Sequence, residues 1–129
     1  MNMKTFVSIT AALCAAAMLC GSAMAGTVIN VPADQPTIQA GIDAAMGGDE
    51  VVIADGTYTG PGNRALDFNG KAVLVRSASD DPSLCIIDCE GITRGVNFED
   101  GEGPNSELRG VTIRNASSID FGGAIRVAN

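Results

Sequence analysis

The residues of this chain that could do chemistry are a scatter of acids and arginines in its later part. The acids are Asp67, Asp88, Glu90, Glu99 and Asp100, and the bases are Arg94, Arg109, Arg114 and Arg126. Carboxylates drawn together hold calcium, which takes about six or more oxygen ligands. A calcium ion so held would bind an acidic sugar, and a nearby arginine would remove the proton beside the sugar carboxylate, an elimination. Nothing in the spacing brings these groups to one point, and solvated turn charges are the ordinary fate of such residues. Hydrolysis of a glycosidic bond needs two carboxylates facing each other across about 5 to 9 Å. Asp67 and Asn97 stand at matching repeat positions, so the second copy lacks the carboxylate that such a pair requires. The catalytic residues are therefore left unassigned, and no resident cofactor or metal is expected. Calcium enters only under the elimination alternative.

Charge narrows the partners. The chain of 129 residues has no histidine and a formal net charge of −7. An acidic surface repels phosphate backbones, which excludes nucleic acid as a partner. Two cysteines, Cys85 and Cys89, remain once the leader is set aside. Without a histidine or a second cysteine pair they do not complete a tetrahedral metal site. On a straight strand their α-carbons would stand about 13 Å apart, beyond the roughly 7 Å that a disulfide tolerates. A bridge would need the chain to bend at Ile87-Asp88; two small buried thiols are the other outcome.

The leader itself is legible. Lys4 supplies a positive start, Thr5 to Cys20 is apolar or small, and Ala23-Met24-Ala25 is a small-x-small cleavage site. Residues 1–25 are expected to be a signal peptide, with the mature chain starting at Gly26. Cys14 and Cys20 leave with it. No membrane span is expected after cleavage, and the protein is expected to be secreted: extracellular, periplasmic or on the outer cell surface.

The elements that must position these residues are short. Residues 26–50 read as a strand (Val28, Ile29, Val31) followed by a helical cap. Asp34 is the expected N-cap, with Pro36 tolerated in the first turn. Ile38, Ile42 and Ala45 lie on one face at helical spacing, and Gly47-Gly48 stops the helix. About ten residues of helix are marginal alone. The apolar stripe must therefore lie against something, and it suits the open end of a stack of strands.

Residues 51–129 break into apolar runs bounded by turn chemistry. The runs are Val51-Val52-Ile53, Leu66-Asp67-Phe68, Val73-Leu74-Val75, Cys85-Ile86-Ile87, Val96-Asn97-Phe98, Val111-Thr112-Ile113 and Ala124-Ile125-Arg126-Val127. Asp55-Gly56 and Asn69-Gly70 are read as turns, and Glu99 to Glu107 as the longest polar loop and the place for a ligand to touch. Leu-Asp-Phe at 66, Val-Asn-Phe at 96 and Ile-Arg-Val at 125 form a weak repeat. Such a period fits a solenoid whose turns contribute about three short strands each. Inward side chains would stack from turn to turn, and the aromatics Tyr58, Phe68, Phe98 and Phe121 suffice for so narrow a core. Asn69, Asn97 and Asn115 are expected to play a structural part, stacking at the corners.

Thr37 to Ala45, then Gly48-Asp49-Glu50-Val51-Val52-Ile53 and Asp55-Gly56-Thr57-Tyr58, resemble the amino-terminal cap and first coil of the pectin-lyase-like superfamily. Ile86-Ile87-Asp88-Cys89-Glu90-Gly91, Arg94-Gly95 and Leu108 to Asn115 are similar to coils of bacterial secreted repeat proteins. Gly122-Gly123-Ala124-Ile125 resembles the tetrapeptide of the polymorphic outer-membrane proteins. The resemblance implies an all-β fold: a right-handed parallel β-helix with a short amino-terminal capping α-helix. Its coils, residues 51–129, would be incomplete at the C-terminus. The fold hosts lyases, hydrolases, esterases, adhesins and inert stalks, so it does not choose an activity. Esterases of this superfamily would use glutamines on middle coils, whereas Gln35 and Gln39, the glutamines here, fall in the cap.

The expectation is a structural or adhesive surface module meeting polysaccharide or another surface protein. The alternative is the front of a pectate-lyase-like polysaccharide lyase. Were the chain to stop at Asn129, self-association through the unpaired edge is expected.

Overall fold

The computed structural model describes residues 25–119 and 123–128. The expected signal peptide, apart from Ala25, lies outside the described residues, as do Phe121, Gly122 and Asn129.

Among the described residues ten short strands and one helix follow in order: β1 (Val28–Val31), α1 (Ile38–Ala44), β2 (Glu50–Ile53), β3 (Gly56–Tyr58), β4 (Leu66–Asp67), β5 (Leu74–Ser77), β6 (Cys85–Asp88), β7 (Val96–Phe98), β8 (Glu107–Arg109), β9 (Thr112–Arg114) and β10 (Ile125–Val127). The strands form three sheets, ordered β1-β2-β5-β8, β3-β6-β9 and β4-β7-β10. All the pairings are parallel. The described residues are thus mostly strand in parallel sheets, with one short helix, as an all-β fold requires.

Register makes the core. In the first sheet Ile29, Val51, Val75 and Leu108 occupy equivalent positions on successive strands. In the third, Leu66, Val96 and Ile125 do so. Alternate residues of a strand point to opposite faces, so such columns place like side chains over one another on the inner face. Val51, Val75, Leu66 and Val96 are all fully buried. Just after β4 and at the end of β7, the rings of Phe68 and Phe98 stack with centroids 4.8 Å apart and planes tilted by 31°. Each such side chain removed from water stabilises the fold by about 1.5–3 kcal/mol.

Helix α1 begins later than the sequence suggests. Thr37, not Asp34, is the N-cap: its side-chain oxygen accepts the Ala40 N–H. Asp34 instead accepts the Asn30 backbone N–H at 2.7 Å and closes the turn after β1. A residue before proline is pushed out of the helical region, so Gln35 ahead of Pro36 delays the start. The helix packs on β1, β2 and β4. Ile38 and Ile42 are fully buried and Ala45 nearly so, as the stripe requires. A seven-residue helix does not persist alone. It is tied down by Asn63, whose Oδ1 accepts the Ile38 N–H at 3.0 Å. Lys71 Nζ donates to the carbonyls of Ile42 and Asp43 at 3.0 and 2.8 Å, at the negative end of the helix dipole.

Two strands begin at residues that the sequence reads as turn or loop. Gly56–Tyr58 is β3, and Glu107–Arg109 is β8. Neither has an apolar alternation of its own. Each is set by its parallel partner, β6 for the first and β5 for the second.

Candidate functional site

The charged residues singled out above are tied to one another across neighbouring strands and loops. Asp88 and Arg114 are register partners on β6 and β9. Arg114 Nε donates to Asp88 Oδ2 at 2.9 Å, while Asn115 Nδ2 and the Glu90 N–H both donate to Oδ1 at 3.0 and 2.9 Å. The Asp88 carboxyl is held below its usual range first by the Glu90 N–H and then by the Asn115 amide, against the opposing effect of burial. Glu90 pairs with Arg64 and Glu50 with Arg76. Arg109 meets Asp80 at 3.0 Å. Glu99 lies between Arg126 at 3.1 Å and Arg94 at 3.7 Å. Every one of the four candidate bases therefore has a carboxylate partner.

Two of the candidate acids do converge. Asp67, Asp100 and Glu102 bring ligand oxygens within 4.8 Å of one another. Glu102, which was not among the candidate acids, sits in the polar loop from Glu99 to Glu107. Its oxygens accept the N–H groups of Gly70 and Asp100 at 3.1 and 3.0 Å. Burial disfavours the Glu102 carboxylate, but the N–H groups of Glu102, Gly70 and Asp100 outweigh it and hold the group below its usual range. Asp67 Oδ1 accepts the Asn69 N–H at 2.7 Å. Three carboxylates with this much of their capacity engaged fall short of the six or more oxygens calcium takes. Among the described ion pairs, none brings an arginine to this cluster.

A cleft of about 270 Å³ lies beside β7, lined by Ile92, Thr93, Arg94, Asn97, Ser117, Ser118 and Ile119. It is small for a ligand pocket, which typically measures about 300–1,000 Å³. Arg94 donates to Ser118 Oγ from Nε and Nη2, at 3.3 and 3.0 Å. Ile92 and Ile119 stand exposed at its rim. Asn97 Oδ1 is buried without a hydrogen-bond partner. Asn97 shares its register column with Asp67 and Arg126, not with other asparagines. Asn69 and Asn115 sit in turns with φ of 53° each. The expected asparagine stack is therefore absent at these positions, because the turns of Asn69 and Asn115 follow strands of different sheets.

Cys85 and Cys89 are both buried and neither is in a disulfide. Of the two outcomes left open by the sequence, the structure has the thiols: β6 runs as regular strand from Cys85 to Asp88, without the bend a bond requires. Burial, reinforced by the Asp55 carboxylate, pushes the Cys85 thiol up to about 11. Burial also raises Cys89, with Asp88 adding to it. Both stay protonated at neutral pH, which makes them poor nucleophiles.

Among the described residues no helix is long and apolar enough to cross a membrane. No family model matches the chain, and neither a curated protein nor a solved structure matches it.

Proposed function

We propose that the chain is a right-handed parallel β-helix of the pectin-lyase-like kind, exported by its leader and serving as a structural or adhesive surface module. The rotation of the strands supports the solenoid. From β2 onward, consecutive strands enter the first, second and third sheets in turn, and each circuit adds one parallel strand to each sheet. Right-handedness follows from the strong preference of parallel crossovers for that hand.

The observation that carries the structural role is the pairing of Arg94, Arg109, Arg114 and Arg126 with carboxylates. A base engaged by a carboxylate is poorly placed to take a proton from a sugar. The pairs of Arg109, Arg114 and Arg126 also clamp successive circuits together, which suits a rod that presents loops. Polysaccharide or another surface protein is the partner such a rod would meet.

The lyase alternative rests on one observation, the convergence of Asp67, Asp100 and Glu102. One experiment divides the two readings. The secreted chain is incubated with polygalacturonate, with calcium or with chelator, and unsaturated uronide is followed by absorbance while retention on the immobilised polymer is measured. Retention without uronide release supports the adhesive module. Calcium-dependent release establishes the lyase. Sequencing the secreted protein from its amino terminus tests export, with Gly26 expected first.

A further inference from the structure

Asn69-Gly70 is the single Asn-Gly pair in the sequence. The two residues form an exposed left-handed turn, with φ of 53° and 69°. Gly70 has no β-carbon to shield its backbone nitrogen. The Gly70 N–H donates to Glu102 Oε1 at 3.1 Å. That is hydrogen-bond reach for a general base, and the proton concerned is the one that must leave if this nitrogen is to act as a nucleophile. The Asn69 side-chain amide donates only long bonds, at 3.3 Å each, to Asp43 Oδ1 and the Asp67 carbonyl.

We infer that Asn69 is a self-modification site, losing its side-chain amide to attack by the Gly70 nitrogen with Glu102 as the base. Glu102 takes the Gly70 proton as the bond from Gly70 N to Asn69 Cγ forms. The Cγ–Nδ2 bond then breaks, and the departing nitrogen recovers the proton and leaves as ammonia. Water opens the resulting five-membered imide at either carbonyl, giving aspartate or isoaspartate at position 69. No oxidant or reductant takes part. The product carries a carboxylate where a donor stood, so its attraction for Asp43 at the end of α1 becomes repulsion. The reaction thus loosens a tie between the helix and the turn after β4, independently of what the module binds.

The test compares the full folded chain with Glu102→Gln at mildly alkaline pH. Peptide mapping by mass spectrometry follows the replacement of amide by hydroxyl at each asparagine. Glutamine keeps an acceptor for the Gly70 N–H, so the turn is retained while the base is removed. Wild type is expected to convert at Asn69 ahead of Asn63, Asn97, Asn105 and Asn115. The variant is expected to convert roughly 100-fold more slowly, the low end of general-base assistance. In denaturant the two should convert at equal rates, since the base is then no longer positioned. The inference is overturned if Asn69 stays intact while other asparagines react, if the folded variant keeps the wild-type rate, or if the difference survives in denaturant.

Discussion

The side-chain amide of Gln39 makes both hydrogen bonds to the backbone of Asp67. Its Oε1 accepts the Asp67 N–H at 2.9 Å, and its Nε2 donates to the Asp67 carbonyl at 2.9 Å. Strand β4 is the outer strand of its sheet, with β7 on its other side. Gln39 therefore stands where a further strand would, satisfying an edge that water or another chain would otherwise occupy. Helix α1 closes the stack by apolar packing from Ile38 and Ile42 and by this amide.

Replacing Gln39 with leucine keeps the size of the side chain and removes both bonds. Two backbone groups beside a packed helix are then left unpaired, at a cost of about 1–3 kcal/mol. The expected outcome is a lower urea midpoint with little change in slope. Light scattering on the same variant should show more association than wild type, since the β4 edge is uncovered. An unchanged midpoint would mean that water replaces the amide without loss.

Asp88 sets an acid sensitivity. Its folded pKa is depressed below the ordinary 3.8. Such a group contributes stability above its unfolded pKa, and loses that contribution as pH falls through the unfolded and then the folded value. Stability should therefore fall below about pH 4, where carboxylates of ordinary pKa begin to protonate. Asp34, Asp49 and Asp81, also depressed, act in the same direction. Asp88→Asn should show a shallower decline between neutral pH and pH 2 than wild type. Equal slopes in urea titrations across that range would remove Asp88 from the account.

The aromatic stack predicts a large penalty. Phe68 is fully buried against Phe98. Phe68→Ala should cost about 3–5 kcal/mol, through lost transfer energy and the cavity left behind. Gly41→Ala errs the other way. A β-carbon there would stand 2.9 Å from Val51 Cγ1, overpacking the seam between α1 and β2. Although alanine favours helix, a net loss of about 1–3 kcal/mol is expected from that crowding. Chemical denaturation of the two variants measures both.

Ser77 offers the reverse experiment. Its hydroxyl is fully buried and has no hydrogen-bond partner. It lies where the register column passes from Ile53 to a serine, with Gly110 packed so closely above that a β-carbon there would stand 2.6 Å from Ser77 Oγ. Ser77→Ala removes an unsatisfied polar group, so the variant should be as stable as wild type or more so. A loss above about 1 kcal/mol would show that the hydroxyl is satisfied in solution.

Thiol chemistry should follow burial. Cys85 and Cys89, both raised in pKa, should resist alkylation in the folded state and react fully in denaturant. Mobility on gels should be the same with and without reductant. A shift on reduction would restore the bridge.

Local chemistry in the sequence determined the class of structure and its front end. Short apolar runs punctuated by Asp-Gly and Asn-Gly forecast strands, and Ile38, Ile42 and Ala45 forecast the buried stripe of α1, because period and turn residues are local signals. Strands β3 and β8 were hidden, since their partners on β6 and β5 impose what their own residues do not. Gln39 read only as a glutamine of the cap, and Glu102 only as part of a polar loop. Tertiary structure alone brought Gln39 to the Asp67 backbone, Glu102 to the Gly70 N–H, and each candidate arginine to an acid on another strand or loop. Those meetings depend on which residues become neighbours across parallel strands, and register is set by the packing of the whole stack rather than by any one segment.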